Sequence, residues 1–130
     1  MSHVQKSRDW RPGTSLVSLN ARARMLAEIR TFFQERNILE VETPLMCRSA
    51  ATDPYLKPIP IAPLPSEALA NQHFYLQTSP EFAMKRLLAA GSGPIYQICK
   101  AFRDDEVGRL HNPEFTILEW YRLGFDHQAL

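Results

Sequence analysis

Two cysteines, Cys47 and Cys99, stand in a chain of 130 residues. That is too few for a disulfide framework and fits a reducing, cytoplasmic setting. Neither charge sign dominates: 15 Lys+Arg face 14 Asp+Glu, a formal net charge of +1. No global field therefore draws the chain to nucleic acid or a membrane surface. No apolar run approaches the roughly 18 to 20 residues of a membrane span. The N-terminal stretch MSHVQKSRDWRPG has no apolar core, so no signal peptide is expected. The four His, at 3, 73, 111 and 127, lack metal-ligand spacing with each other or with Cys, so no metal site is expected. Hydrophobic residues make up 45% and charged residues 22%. This excludes a disordered polyelectrolyte and allows one domain with a modest core.

Residues 1–15 read as a polar arm carrying Pro12 and Gly13. A helix follows, with Ser18 or Asn20 as the expected cap. Its apolar stripe is Met25, Leu26, Ile29, Phe32 and Phe33, and Asn37 is the stop. Leu39–Glu42 alternates as a short strand that Thr43-Pro44 ends. Residues 46–72 are Pro-rich, so short extended pieces such as Leu56–Ile61 are expected there, but no helix. A loop of this length inside a compact domain is usually functional or a hairpin of its own. His73–Gln77 reads as a strand. Thr78-Ser79-Pro80-Glu81 then opens a helix over 80–90, with Ser79 as cap and Pro80 at the first helical position. Phe82 and Leu87 are its expected buried face, with Met84 and Leu88 as further candidates, and Gly91 its stop. Ile95–Phe102 and Glu114–Leu123 read as strands of one hairpin with a polar loop between.

The second hairpin strand places Phe115, Ile117, Glu119 and Tyr121 on one face. On its partner, Gln97, Cys99, Ala101 and Arg103 share a face. A carboxylate inside a core costs several kcal/mol, of order 2–7 even for neutral polar groups, unless it is paired. The ordinary alternative is hairpin packing with Glu119 paired to a nearby Arg. A cleft that receives a cation fits the face better. Arg103, Arg109 and His111 offer donors to phosphate oxygens, and Phe115 offers a flat face for a base. One hairpin thus carries phosphate donors, a stacking platform and an ammonium-binding acid.

The run Phe102-Arg103-Asp-Asp-Glu-Val-Gly-Arg-Leu-His111-Asn-Pro-Glu-Phe115-Thr-Ile-Leu-Glu119-Trp-Tyr121 resembles motif 2 of class II aminoacyl-tRNA synthetases in its lysyl-type form. Glu40-Val-Glu-Thr-Pro44 resembles motif 1. Thr78-Ser-Pro-Glu81 with Met84-Lys-Arg-Leu-Leu resembles the lysyl-type amino-acid-binding turn. The three occur in family order and fill most of residues 16–125. The stretch GRLHNPEFTILEWYR is most similar to the lysyl-synthetase paralogues that ligate (R)-β-lysine to elongation factor P. The resemblance implies an α+β fold: the N-terminal part of a class II catalytic domain over 16–130, an antiparallel sheet flanked by helices. Motif 1 falls at about residues 20–46 and motif 2 at about 95–122.

The resemblance further implies roles. Arg103 holds the α-phosphate of ATP and stabilises the adenylation transition state. Asp104, Asp105, His111, Asn112 and Phe115 complete the ATP site, Asp105 standing where the family usually has Glu. Ser79, Pro80 and Glu81 frame the substrate, and Glu119 with Tyr121 binds its lysine-like side. Mg²⁺ neutralises the triphosphate. The implied partners are lysine or (R)-β-lysine, elongation factor P, and a second copy of the chain at motif 1, with Pro44 at the interface. Only about fifteen residues precede the motif 1 helix, so tRNA is not an expected partner. Motif 3 of the family lies C-terminal to motif 2, and the sequence shows none. The chain alone is therefore expected to be inactive and to expose sheet edges that favour oligomers. The alternatives are a catalytically dead binding or dimerisation module, or a lysyl-type enzyme that charges tRNA.

Overall fold

The computed structural model describes residues 10–63, 66, 69, 72–104 and 107–130. The chain up to Phe32 forms one compact unit, and Phe33–Leu130 another. Helix α1 (Leu16–Gln34) makes up most of the first and ends in the second. It starts earlier than the sequence pattern suggests. Ser15, not Ser18 or Asn20, is the cap, its hydroxyl accepting from the Ser18 amide at 3.1 Å. Of the apolar stripe, Leu26 and Ile29 are half-buried, while Met25 and Phe32 are exposed. The stop falls where expected: Asn37 adopts φ 54°. The Ile38 amide reaches back to the Phe33 carbonyl, and that of Asn37 to Gln34. This double closure satisfies the last helical carbonyls, and Asn tolerates the left-handed turn it needs.

The second unit holds two small sheets. One has the order β1 (Leu39–Glu40), β5 (Ile95–Phe102), β6 (Glu114–Tyr121). The β5–β6 pair is antiparallel over eight residues, from Ile95 opposite Tyr121 to Phe102 opposite Glu114. β1 is shorter than the expected four residues and adds in parallel, Leu39 opposite Ile95. The other sheet lies in and beside the Pro-rich stretch, with β4 (Phe74–Leu76) between β2 (Met46–Cys47) and β3 (Pro60–Ile61), both antiparallel. Proline at the start of an edge strand is compatible with such pairing.

Helix α2 (Glu81–Ala89) follows β4. Pro80 takes the cap position, one residue later than the Ser79 cap expected from sequence. The Ser79 hydroxyl still accepts the Glu81 amide at 3.1 Å. Gly91, at φ 87°, ends the helix. The Gly91 and Ser92 amides close on the Leu88 and Leu87 carbonyls. The expected buried face is corrected in one respect: Met84 is fully buried, whereas Phe82 is 50% exposed.

The buried side chains of the second unit include Phe33, Ile38, Phe74, Met84, Ile95, Tyr96 and Ala101. The Phe33 ring stacks on Tyr96 with centroids 4.2 Å apart and meets Trp120 in a tilted contact. Phe33→Ala removes this contact and leaves a cavity, so it should destabilise the unit by about 3–5 kcal/mol. Urea denaturation followed by tryptophan fluorescence checks this.

Candidate active site

The β5–β6 register sets the floor of the site. Gln97 lies opposite Glu119, Cys99 opposite Ile117 and Ala101 opposite Phe115, so the two faces singled out from sequence are one face. Glu119 is half-buried. One carboxylate oxygen accepts the Tyr121 hydroxyl at 2.6 Å, and the other the Ser79 hydroxyl at 2.7 Å. Charge-assisted O–H···O⁻ bonds have this length. Among the described residues no Arg or Lys pairs with Glu119, so the ordinary alternative, an ion pair to arginine, is not seen among them. Ser79 bridges elements, donating to Glu119 on β6 while accepting from the first turn of α2.

Burial and the adjacent carboxylate push the Tyr121 phenol well above its ordinary range, since the hydrogen bond to Glu119 needs the proton in place. The Cys99 thiol is also raised, first by burial and last by the Glu119 charge. Side-chain amides of Gln77 and Gln97 act against that rise. Cys47 and Cys99 are free thiols, and burial raises Cys47 as well.

Arg103 leaves the end of β5. Its guanidinium lies over the Phe115 ring, 4.9 Å from the centroid. Its Nε donates to the Thr78 carbonyl at 3.4 Å, and its backbone amide to the Pro113 carbonyl at 2.9 Å. The arginine is thereby held against the turn that carries Ser79. Asp104 is tied to the Pro-rich stretch, its amide donating to the Lys57 carbonyl at 2.8 Å. His111 pairs with Gly108 in the hairpin loop, and both His111 and Asn112 are exposed. Asp105 lies outside the described residues.

Glu81 pairs with Lys85 one turn along α2. Glu81 also borders a cavity of about 860 Å³. Its walls are the turn Thr78–Ser79, the segment Arg48–Leu56 and, on α2, Phe82 and Arg86. Glu119, Tyr121 and Arg103 are not in its lining. The structure thus groups Ser79, Glu119 and Tyr121 tightly, brings Arg103 and Phe115 together beside the same turn, and leaves His111 and Asn112 in the loop. The sequence reading missed the segment 48–56 as a wall. The signal available was Asp53-Pro54, where the Asp53 carboxylate accepts the Tyr55 amide and turns the chain. Among the described residues no three His, Cys, Asp or Glu side chains converge as a metal site, so the Mg²⁺ implied by the resemblance gets no ligand set from them. No helix among them is long and apolar enough to cross a membrane.

A family model for tRNA synthetases of class II (D, K and N) matches residues 4–129. The chain belongs to that family. Among curated relatives, the elongation factor P–(R)-β-lysine ligase of Vibrio cholerae is 56% identical over 122 residues. That match covers 94% of this chain and 38% of the relative. The proteins of the same name from Erwinia tasmaniensis and Pseudoalteromonas translucida are 55% and 54% identical, each over 121 residues, 93% of this chain and 37% of theirs. The chain thus spans less than two-fifths of the length of these relatives. The α+β class II fold expected from the three motifs is the fold family found.

Tyr121 and the two thiols keep their protons to higher pH in the folded chain than in the unfolded one. Above the ordinary thiol and phenol values of about 8.5 and 10, the folded state binds more protons than the unfolded state. Stability must then fall as pH rises. Urea midpoints measured from pH 7 to 11, values of order those ordinary pKas, should decline. Tyr121→Phe should flatten the upper part of the decline, and an unchanged slope would refute the assignment.

Proposed function

We propose that the protein to which this class II segment belongs activates a lysine-type amino acid with ATP and passes it to a lysine of elongation factor P. The observation that carries the reading is Glu119: a half-buried carboxylate held by two hydroxyls, with no cation paired to it among the described residues. It sits on the face that also carries the Arg103–Phe115 pair. The relatives' names supply the acceptor and the β-amino acid.

In the first step the substrate carboxylate attacks the α-phosphorus of ATP, the bond to the β-phosphate oxygen breaks, and pyrophosphate leaves. Arg103 draws charge from the α-phosphate oxygens as it builds in the transition state, and Phe115 stacks on the adenine. Asp104, Asp105, His111 and Asn112 complete the nucleotide contacts. Glu119 receives a substrate ammonium, with Ser79 and Tyr121 orienting the carboxylate and Glu81 facing the second amino group. In the second step the deprotonated acceptor amine attacks the acyl carbon, the acyl–phosphate bond breaks and AMP leaves. Mg²⁺ entering with ATP would supply charge neutralisation on the triphosphate, with no ligand set from the described residues. The protein's part is positioning and electrostatics. Dimerisation through the segment around Pro44 and a cytoplasmic location belong to the same reading.

The test is amino-acid-dependent exchange of pyrophosphate into ATP by the complete gene product. Stimulation by (R)-β-lysine or lysine, and a mass increase on elongation factor P, are the expected results. No stimulation by either, with elongation factor P and tRNA both unmodified, refutes the reading. Glu119→Gln should lower kcat/KM for the amino acid by about 10- to 150-fold, the value of a hydrogen bond to a charged group. It should leave the KM for ATP nearly unchanged.

A further inference from the structure

The cavity of about 860 Å³ beside Glu81 is larger than one lysine-type amino acid needs. It falls in the range of about 300–1,000 Å³ that holds a drug-sized ligand. The chemistry assigned above uses only its edge, at Ser79 and Glu81. Its charged lining is Arg48, Asp53, Glu81 and Arg86. Both acids are engaged: Glu81 pairs with Lys85, and the Asp53 carboxylate accepts the Tyr55 amide at 2.9 Å. Both arginines are exposed. Among the described residues neither guanidinium has an ion pair or a hydrogen bond. The cavity therefore offers two unspent cations whose planar donor forks match carboxylates.

Residues 49–52 form one wall of the same cavity. Among the described residues none of their backbone or side-chain groups makes a hydrogen bond. They follow closely on β2, an edge strand of its sheet. A run of unpaired N–H and C=O groups can take up an extended chain. A free amino acid or a phosphate has no chain to pair with such a wall, whereas a peptide with acidic side chains satisfies both the wall and the arginines. The cavity also adjoins the reacting centre. Thr78 and Ser79 belong to its lining, and the same turn holds Arg103 through the Thr78 carbonyl and Glu119 through the Ser79 hydroxyl. We propose that this cavity docks an extended, acidic segment of the acceptor protein, with residues 49–52 pairing with its backbone and Arg48 and Arg86 with its carboxylates. The inference rests on the acceptor-acylating reading above. It adds no chemical step, and supplies the hold that brings the acceptor amine to the Ser79 turn.

The test uses the complete gene product with Arg48→Ala, Arg86→Ala, their double variant and Arg48→Glu. Pyrophosphate exchange without acceptor gives KM for the amino acid and for ATP. Acylation of elongation factor P, followed by its mass, gives KM for the acceptor. Each alanine variant should raise the acceptor KM by about three- to tenfold, the effect of one hydrogen bond, and Arg48→Glu should raise it further. Both KM values from exchange should stay within about twofold, as for substitutions at exposed positions away from the reacting groups. Added NaCl should raise the acceptor KM of the wild type, and that of the double variant less steeply, because screening weakens exposed charge pairs. An acceptor KM that does not move, or an amino-acid KM that rises in exchange, overturns the docking role. A wild-type protein that exchanges no pyrophosphate with any lysine-type amino acid, or that leaves elongation factor P unmodified, refutes the underlying reading instead, and the inference falls with it. Thermal midpoints check that each variant folds, and Arg86→Ala, on the exposed side of α2, carries the test if the Arg48 variants do not.

Discussion

The register between β5 and β6 is the constraint on which the rest of the site depends. Eight consecutive pairs run from Ile95–Tyr121 to Phe102–Glu114. Side chains alternate with period two, so a slip of one residue would carry Glu119 and Tyr121 to the opposite face. It would break the bond between Glu119 and Ser79, which comes from a different part of the chain. The register is pinned from several directions. Ile95, Tyr96 and Ala101 are buried, Lys100 pairs with Glu114 across the strands at 2.8 Å, and Phe33 stacks on Tyr96. The exposed ion pair adds little, about 0–1 kcal/mol. The buried rings contribute far more, about 1.5–3 kcal/mol for each large apolar side chain removed from water.

With that register fixed, the electrostatics of Glu119 follow from what surrounds it. Its hydrogen-bond donors are hydroxyls and its opposite neighbour is an amide. These groups satisfy a carboxylate without neutralising it. Tyr121 and Cys99 hold their protons more firmly chiefly because they are buried, with the nearby carboxylate acting in the same direction. A salt bridge from the protein would have consumed the site's capacity for a cation. Hydroxyl donors leave it intact, which is what the proposed ammonium-receiving role of Glu119 requires.

Much of this was legible in the sequence, and the reasons differ by element. β5 was expected over Ile95–Phe102 and is found there, because a stretch rich in β-branched and aromatic residues with no proline favours a strand. The motif 2 face was legible because strand periodicity places Phe115, Glu119 and Tyr121 together without any tertiary knowledge. The start of α1 was misplaced because Ser15 and Ser18 are equally good caps, and only the amide geometry decides between them. Phe82 was expected inside because large aromatics usually are. Helical phase turns Met84 inward instead, and Phe82 borders the cavity. The parallel pairing of β1 could not be read, since parallel and antiparallel partners share one local pattern. β3 falls within the extended piece expected at Leu56–Ile61, whereas β2 was hidden by proline density, which argues for loop until a partner strand is seen.

The two acids of the proposed substrate site are held in different ways, and the difference bears on a substrate with two amines. Glu81 is paired with Lys85 on its own helix, half exposed to water. Such an i,i+4 pair is worth only about 0.3–0.5 kcal/mol, so an incoming ammonium displaces Lys85 at little cost. Among the described residues Glu119 has no cation to displace, and on the proposed reading its hydroxyl partners fix where the ammonium sits. On the proposed reading, one end of the substrate is then held at a site of defined geometry and the other at one that exchanges readily. That division tolerates a shift of an amino group by one carbon at the Glu81 end while keeping the distant amine in register. Lysine and β-lysine differ in just this respect, so the first residues to compare when asking which is preferred are Glu81 and Lys85.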